Sequence, residues 1–332
     1  MLTYDLKVGY GCNNKCKHCV IDDSKDKLLE KKESIDLTTE ECISQIDYAL
    51  SKGAKNIVLT GGEVTIRKDF IALLYKCYEN NLNITVQTNG RMLANKKIIE
   101  AIKPIDKIRF VVALHGDNAN THDNITQAHS SFNQTCNGIQ KMCEINKLVV
   151  LKIVISKINF KELSGIVKLA SKLGAKYLCF AFPHGHGSAR KNFDEVIPTY
   201  ETLKPIFEDL IQTSKIFNVN IEFEAVPFCI IPKHMQYVGE LKYFDGNTLC
   251  TQVKEETFDW NKIRRSIKRK GEQCKNCDMN DFCEGVWSEY AEAFGTNELK
   301  PIKFPSTIKE KALESIKNKL IQENKNSNFI GI

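Results

Sequence analysis

Short apolar stretches alternate with longer amphipathic stretches along the first two thirds of the chain. Asn56-Ile57-Val58-Leu59 has the length and the apolar residues of a short buried strand, and Thr38 followed by Glu41 three positions later has the pattern of a capped helix start. We predict strands at residues 6–10, 56–59, 84–87, 108–114, 149–154, 177–182 and 219–223. We predict helices behind Thr38 and at residues 70–78, 96–101, 132–145, 160–173 and 200–217.

This alternation predicts an α/β fold. Repeated strand–helix–strand units with right-handed crossovers give a parallel sheet that is covered by helices. Six or seven such units fit before residue 225, which is fewer than a closed eight-stranded barrel needs. We therefore expect a partial (β/α)6-type TIM barrel over residues 1–224, with residues 22–32 as a charged loop. A small cysteine-rich extension at residues 225–300 and a helical tail at residues 301–332, with a helix at 308–324, complete the predicted organisation.

Composition adds a high cysteine content to this picture. The chain has 332 residues, 13 cysteines and a net charge of +6. Because the number of cysteines is odd and no signal peptide is visible, metal binding in a reducing cytoplasm is favoured over disulfides. No apolar run approaches the ~20 residues that cross a bilayer, so we expect no membrane partner. A basic cluster is typical of a solvated helix face, with specific nucleic-acid binding as the less favoured alternative; it comprises Arg264, Arg265, Lys268, Arg269 and Lys270.

Three cysteines come directly after the first predicted strand. Cys12, Cys16 and Cys19 form a Cys-x3-Cys-x2-Cys loop. Three thiolates can hold three corners of an iron–sulfur cube and leave the fourth iron open to bind and reduce a ligand. A structural zinc site usually has four ligands, and here only His18, between two of the cysteines, could supply the fourth. The loop indicates a catalytic [4Fe–4S] cluster, with zinc or buried thiols as the alternatives.

Together with Gly61-Gly62-Glu63 after the second strand, this cysteine loop resembles the signature of the radical S-adenosylmethionine (SAM) superfamily. The resemblance implies that the open iron chelates the methionine end of SAM, and that the backbone and carboxylate of the Gly-Gly-Glu motif hold its amino group. Reductive cleavage would then give methionine and a 5′-deoxyadenosyl radical, which abstracts hydrogen from a substrate carbon. Two positions depart from the signature, because His18 replaces an aromatic residue and Val64 replaces a proline.

Further polar residues follow the later strands, and the carboxyl ends of parallel strands meet at one edge of a barrel. Thr88 and Asn89, after the third strand, match positions that contact the cofactor in related enzymes, although a simple Asn-Gly turn is the alternative. His115 follows the fourth strand, and it is a candidate contact for the SAM ribose because Ala113 stands where many relatives carry a serine.

No residue can be assigned as a catalytic acid or base from the sequence, and the candidates are His115, His184, His186 and Arg67. Arg67 could reach an anionic group in the site, or it could be a surface arginine. His184 and His186 lie in a glycine-rich loop after the sixth strand. This loop could line the substrate pocket, or it could be a plain loop.

A second group of cysteines lies near the end of the chain, where Cys274, Cys277 and Cys283 have the spacing Cys-x2-Cys-x5-Cys, with Cys229 and Cys250 upstream. This group resembles the SPASM or shorter Twitch extension, which carries auxiliary [4Fe–4S] clusters. The full SPASM pattern continues with a cysteine where this chain has Trp287. Five cysteines cannot fill two complete cages, so we predict one auxiliary [4Fe–4S] cluster, with structural zinc as the alternative. The predicted ligands are Cys274, Cys277, Cys283 and either Cys250 or Cys229, with Cys250 slightly preferred.

The resemblance implies a cytoplasmic radical SAM enzyme that takes its electron from a reductant such as flavodoxin or ferredoxin. The leading hypothesis is a maturase acting on a peptide or protein, because auxiliary-cluster domains are frequent in such enzymes. The first strand begins near Met1, so we expect no N-terminal leader-binding domain, and either a separate recognition protein or none would be needed. One alternative is a small-molecule enzyme, such as a dehydrogenase, an epimerase or a cofactor-biosynthesis enzyme. A non-catalytic metal-binding protein that holds RNA is the alternative of another class.

Overall fold

The computed structural model describes residues 1–240 and 247–307, together with residues 310, 311, 313, 314 and 318. The strands are β1 (Leu2–Lys7), β2 (Asn56–Thr60), β3 (Asn83–Thr88), β4 (Ile108–Ala113), β5 (Leu148–Val154), β6 (Tyr177–Ala181), β7 (Asn220–Glu224), β8 (Asn247–Cys250), β9 (Phe258–Asp259), β10 (Lys268–Arg269) and β11 (Val286–Trp287). The helices are α1 (Asp22–Glu30), α2 (Thr39–Ser51), α3 (Phe70–Glu79), α4 (Lys96–Ile102), α5 (Ala119–Thr126), α6 (Ser131–Glu144), α7 (Leu163–Leu173), α8 (Ser188–Lys191), α9 (Phe193–Val196), α10 (Tyr200–Ile216), α11 (Trp260–Ser266) and α12 (Ser288–Phe294). Most of the helix predicted at residues 308–324 lies outside the described residues.

Nine of the described strands form one open sheet in the order β7-β6-β5-β4-β3-β2-β1-β8-β9. Neighbouring strands from β7 to β8 run parallel, and β9 pairs with β8 in the antiparallel sense. The seven strands before residue 225 confirm the predicted α/β partial barrel. Parallel pairing brings the carboxyl ends of these strands, and the loops that follow them, to one edge of the sheet.

The helices pack their apolar sides onto the sheet, as the spacing of apolar residues predicts. In α7, Ile166, Val167 and Ala170 are fully buried. The capped start predicted for α2 is confirmed, since the Glu41 N–H donates to Thr38 Oγ1 at 3.1 Å and the Thr38 N–H donates to the Glu41 carboxylate at 2.7 Å. These contacts hold the helices against the sheet, and the polar loops lie at the edge where the strands end.

Two local predictions were wrong. The first strand covers Leu2–Lys7 instead of residues 6–10, because the chain leaves the sheet at Gly9 and Tyr10, whose N–H donates to Ile35 O at 2.9 Å. Residues 22–32, predicted as a loop, contain α1. This helix buries Leu28, and its first turn carries two aspartates, which favour the positive end of a helix.

The cysteine-rich extension supplies strands to the barrel sheet. β8 lies parallel to β1, with Cys250 opposite Asp5. β10 and β11 form a separate two-stranded sheet, and α12 follows β11 directly. The domain boundary at residue 224 stays a prediction, because β8 and β9 lie beyond it and still join the main sheet. Across the part of the chain that the structure describes, no helix is both long and apolar enough to cross a membrane.

Candidate metal centre and cofactor site

The loop of Cys12, Cys16 and Cys19 follows β1 and lies against the end of α5. The N–H groups of Lys15 and Lys17 each donate, at 2.9 Å, to the carbonyls of the last two residues of that helix. All three thiols are free. Burial raises the pKa of Cys16 well above its usual value, and the neighbouring thiolates of Cys19 and Cys12 raise it further, so the three sulfurs share one neighbourhood.

This loop fits an iron–sulfur cluster. Burial also raises the pKa of Cys12, and it raises the pKa of Cys19 to about 12. Buried thiols of this kind become good ligands only when a cation stabilises the thiolate form, which a cluster iron does. Three cysteines on one loop supply three of the four ligands of a [4Fe–4S] cube and leave one iron open. Ligation by these three residues stays a proposal.

Arg91 holds the cysteine loop in place, and sequence reasoning missed it. Its Nη1 donates to Asn13 O at 2.5 Å and to Asn14 Oδ1 at 2.8 Å. Beside it, Asn89 Nδ2 donates to Asn13 Oδ1 at 2.6 Å. Only the position of Arg91 directly after Thr88-Asn89-Gly90 could have pointed to this role, and that position alone does not distinguish it from a surface arginine.

The two glycines of the Gly-Gly-Glu motif lie against the backbone that leads into the cysteine loop. Gly62 N donates to Gly9 O and Glu63 N donates to Gly11 O, both at 2.8 Å. A Cβ atom would lie 2.1 Å from Gly9 O at Gly61 and 2.2 Å from Gly11 O at Gly62. No real Cβ approaches a carbonyl oxygen so closely, so both positions require glycine. The motif therefore joins the end of β2 to the cysteine loop.

The Glu63 carboxylate is 2% exposed and accepts four hydrogen bonds. Oε1 accepts from Thr65 N at 2.9 Å, Thr65 Oγ1 at 2.5 Å and Thr88 Oγ1 at 2.7 Å. Oε2 accepts from Asn89 N at 2.6 Å. The structure thus brings the predicted cofactor residues Glu63, Thr88 and Asn89 together. A direct bond from this carboxylate to the SAM amino group stays a prediction, and it would compete with these four donors.

His115 lies beside the cysteine loop through its contact with His18. The two ring centroids are 4.4 Å apart at an interplanar angle of 79°. Burial lowers the pKa of His18 to about 4 and lowers the pKa of His115 well below its usual value, so both imidazoles are neutral. His115 Nδ1 accepts from Val154 N at 3.3 Å, which fixes the ring between β4 and β5. A contact of His115 with the cofactor ribose stays a prediction.

Arg67 is occupied by protein contacts, and this corrects its candidacy as an anion ligand. Its guanidinium donates to both carboxylate oxygens of Asp69, at 2.8 and 2.7 Å. It also donates to Val8 O at 2.8 Å and to Leu37 O at 3.0 Å. Because four of its five donor positions are used in this way, Arg67 acts as a clamp between the end of β1 and the start of α2.

His184 and His186 lie in the loop after β6, which contacts the cysteine loop where Ser188 N donates to Cys19 O at 2.8 Å. Both imidazoles face Glu289 of α12. Burial lowers the pKa of His184, whereas the hydrogen bond to Glu289 raises the pKa of His186. Burial alone would raise the pKa of Glu289, but the interactions with the two neighbouring imidazoles outweigh it and lower that pKa strongly.

Four cysteines of the extension line one cavity, and Cys250 lies elsewhere. Cys250 belongs to β8, and its charged neighbours are Asp5, Lys7 and Asp259. The slight preference for Cys250 as the fourth auxiliary ligand is therefore corrected in favour of Cys229. Sequence distance could not decide between them, since both lie upstream of the other three. The cavity is lined by Cys229, Cys274, Cys277 and Cys283.

The surroundings of these four thiols suit a cluster or a metal ion. Ile302 N donates to Cys277 Sγ at 3.3 Å. Burial raises the pKa of Cys283 to about 12, and the thiolate of Cys229 contributes to that rise. Four thiols around one cavity complete the ligand set of a [4Fe–4S] cube, and they also match a structural zinc site. The geometry fits both groups.

The basic cluster of α11 and β10 is partly buried, which corrects its description as a solvated face. Arg264 is 1% exposed and contacts three carboxylates. Its Nε lies 2.8 Å from Glu284, its Nη2 lies 3.1 Å from Glu240, and its Nη1 lies 3.7 Å from Glu224. Lys268 is 5% exposed. The residues of this cluster that remain exposed are Arg265, Arg269 and Lys270.

Comparison with known proteins agrees with this geometry. Residues 6–170 match the Radical SAM superfamily, and this span contains the cysteine loop, the Gly-Gly-Glu motif and His115. The chain belongs to this superfamily of enzymes, whose members use a [4Fe–4S] cluster and S-adenosylmethionine.

Two curated proteins illustrate the range of relatives. The AdoMet-dependent heme synthase of Methanosarcina barkeri is 30% identical over 209 residues, which cover 62% of this chain and 57% of the relative. The sporulation killing factor maturation protein SkfB of Bacillus subtilis is 26% identical over 170 residues, covering 51% of this chain and 40% of SkfB. The chain thus spans about half the length of these curated relatives.

Streptococcus suis SuiB, solved with its precursor peptide SuiA, has a TM-score of 0.62 at 15% sequence identity, covering 91% of this chain and 75% of SuiB. At that identity the likeness shows the fold alone.

Proposed function

We propose that this chain reductively cleaves SAM at a [4Fe–4S] cluster held by Cys12, Cys16 and Cys19, and abstracts hydrogen from a peptide or protein. The observation that carries this proposal is the junction of the cysteine loop with the Gly61-Gly62 backbone, which leaves no room for side chains. The cluster, when bound, supplies one electron to SAM at its open iron. Glu63 positions Thr88 and Asn89 beside the loop, and a flavodoxin or ferredoxin is the proposed reductant.

We place one auxiliary [4Fe–4S] cluster in the cavity of Cys229, Cys274, Cys277 and Cys283. Such a cluster would accept an electron from the substrate after hydrogen abstraction. A relative named as a maturation protein, SkfB, supports a peptide or protein as the substrate. The function of the extension is then electron transfer.

A small-molecule substrate is the second candidate. It is favoured by the 30% identity with a heme synthase, since that relative is named for a tetrapyrrole product. Both candidates predict the same cleavage of SAM, so they differ only in the donor of the hydrogen atom.

Iron counting and 5′-deoxyadenosine formation test the cluster assignments. The anaerobically reconstituted protein should hold about eight irons, and Cys274→Ala/Cys277→Ala should hold about four and still form deoxyadenosine. Cys250→Ala is the matched control for Cys229→Ala, and only the latter should change the iron content or the electron paramagnetic resonance of the reduced protein. Zinc in place of the four irons of the extension would indicate a structural zinc site there and would remove its proposed role in electron transfer. No deoxyadenosine under strong reductant would overturn the enzyme proposal and favour a non-catalytic RNA-binding protein.

Isotope transfer identifies the substrate class. An extract of the organism that carries the gene, grown in deuterated medium, is separated by desalting into macromolecules and small molecules. Each fraction is incubated with the reconstituted protein, unlabelled SAM and reductant, and the deoxyadenosine is analysed by mass spectrometry. Deuterium transfer from the macromolecular fraction that disappears after protease treatment supports a peptide or protein. Transfer from the small-molecule fraction alone supports the second candidate.

A further inference from the structure

We infer that His184, His186 and Glu289 form a binding site for one divalent first-row transition metal ion of the zinc type, separate from both cysteine groups. The site joins the loop after β6 to α12 in the extension. It does not depend on the proposed function, because its ligands are nitrogen and oxygen atoms outside both groups of thiols.

The three side chains converge on one point. One ligand atom from each residue can be chosen so that all three lie within 4.8 Å of one another. His186 Nε2 lies 2.6 Å from Glu289 Oε1, and His184 Nε2 lies 3.5 Å from Glu289 Oε2. Three donors at such separations can all contact one ion, since zinc bonds to nitrogen and carboxylate oxygen are about 2.0–2.2 Å long.

Two of these atoms are buried without a hydrogen-bond partner. Among the residues that the structure describes, neither His184 Nε2 nor Glu289 Oε2 forms a hydrogen bond, although the two atoms face each other. Buried polar atoms are nearly always satisfied, and one cause of an unsatisfied atom is an ion that binds there. A metal ion between the two atoms would satisfy both.

The surrounding chain holds the site in shape. A Cβ at Gly185 would lie 2.9 Å from Glu289 Cβ, so the glycine between the two histidines lets the loop approach α12. The His184 ring stacks on Trp287, with centroids 4.1 Å apart and an interplanar angle of 30°. This stacking fixes the direction of the imidazole, and orientation by neighbouring groups is a general property of metal-binding histidines.

The ligand set selects the class of metal. Two imidazoles and one carboxylate suit zinc or a similar first-row ion, whereas calcium and magnesium prefer oxygen ligands and copper(I) prefers sulfur. Three protein ligands leave a further coordination position open, as in catalytic zinc sites. The exposed fraction of the His186 side chain is 41%, so solvent or substrate can reach the site.

Zinc binding to the full chain, with its clusters already loaded under anaerobic conditions, tests this inference. The protein competes with a chromophoric chelator for Zn²⁺, and wild type should bind one zinc ion. His184→Ala and Glu289→Gln should weaken that binding by about 100-fold or more, since even groups that only support a ligand contribute about 10–100-fold. His234→Ala is the matched control, because His234 also pairs with a carboxylate, Glu208, at 2.8 Å, and it should bind zinc like wild type.

X-ray absorption at the zinc edge distinguishes this site from the thiols. The expected first shell contains nitrogen and oxygen at about 2.0–2.1 Å and no sulfur at about 2.3 Å. Sulfur in that shell would assign the zinc to cysteines and overturn the inference. Equal zinc affinity in wild type and Glu289→Gln would also overturn it. Glu289→Gln keeps the size and shape of the side chain, so it decides the question if His184→Ala fails to fold.

Discussion

Replacing Arg264 by methionine removes a buried positive charge that three largely buried carboxylates share. The guanidinium is 1% exposed and lies within 3.7 Å of Glu224, Glu240 and Glu284. Methionine keeps most of the apolar stem, so the change isolates the loss of charge and hydrogen bonds. Since Glu284 directly follows Cys283, the same change reaches the cavity of the extension.

Removing one partner of a buried ion pair costs about 3–5 kcal/mol, because the other charge is left buried. We expect the free energy of unfolding of Arg264→Met to be lower than that of wild type by an amount in that range near neutral pH. Burial raises the pKa of Glu240 and the charge of Arg264 opposes that rise, so the variant raises this pKa further. A carboxyl with a raised native pKa stabilises the fold fully below its ordinary pKa and loses that contribution as pH rises. Between pH 4.5 and the wild-type native pKa of about 7, wild type and variant lose this contribution equally, so the deficit of the variant should grow as pH rises above about 7.

Urea unfolding followed by tryptophan fluorescence measures this effect where it occurs. The chain has two tryptophans, and both Trp260 and Trp287 lie in the extension. Arg265→Met is the matched control, since Arg265 is the exposed neighbour of Arg264 in α11 and surface ion pairs contribute about 0–1 kcal/mol. The reasoning is refuted if Arg264→Met loses no more stability than Arg265→Met, or if its deficit does not change with pH.

Three further changes test other contacts. Gly62→Ala should lose about four irons and SAM cleavage, because its Cβ would lie 2.2 Å from Gly11 O. In the control Gly53→Ala no atom lies within 4 Å of the new Cβ, so this variant should keep both, although its φ of +79° costs some stability. Retained iron in Gly62→Ala would contradict this reasoning. Asp123→Asn should lower the free energy of unfolding by about 1 kcal/mol near neutral pH, because the carboxylate caps the start of α6; a matching Tm would contradict this. Burial raises the native pKa of Asp123, but the hydrogen bonds that it accepts outweigh burial and lower that pKa. The loss of stability in Asp123→Asn should therefore shrink as pH falls below 3.8. Wild-type stability should fall as pH rises above 4.5, because the native pKa of Glu240 is raised, and Glu240→Gln should lose less stability over the same pH range. Identical dependence of stability on pH in the two proteins would contradict this raised pKa.

The strands of the barrel were predictable because each carries a compact apolar run. β4 and β5 begin and end within one residue of their predicted limits, because each is a compact run of mostly apolar residues. β1 was misplaced because the alternating pattern continues through Gly9 and Tyr10, although the chain has left the sheet there. α1 was missed because its apolar contribution to the core is mainly Leu28.

Contiguous motifs predicted the site, whereas contacts between distant segments could not be read from the chain. Cys12, Cys16 and Cys19 lie on one loop, so their spacing is informative. The choice between Cys229 and Cys250 depends on which segment enters the sheet, and this is decided by pairing with β1 far upstream. Arg264 was misread for a similar reason, since its carboxylate partners lie 20 to 40 positions away in the chain.

The pairing of β8 with β1 has a consequence for synthesis of the chain. Leu2 lies opposite Asn247, so β1 keeps one hydrogen-bonding edge open during synthesis until β8 has been made. Pairings between such distant residues form slowly, and an open strand edge is a template for association with other chains. The extension therefore covers the open edge of β1 with β8, and truncation before Asn247 should produce a chain that self-associates.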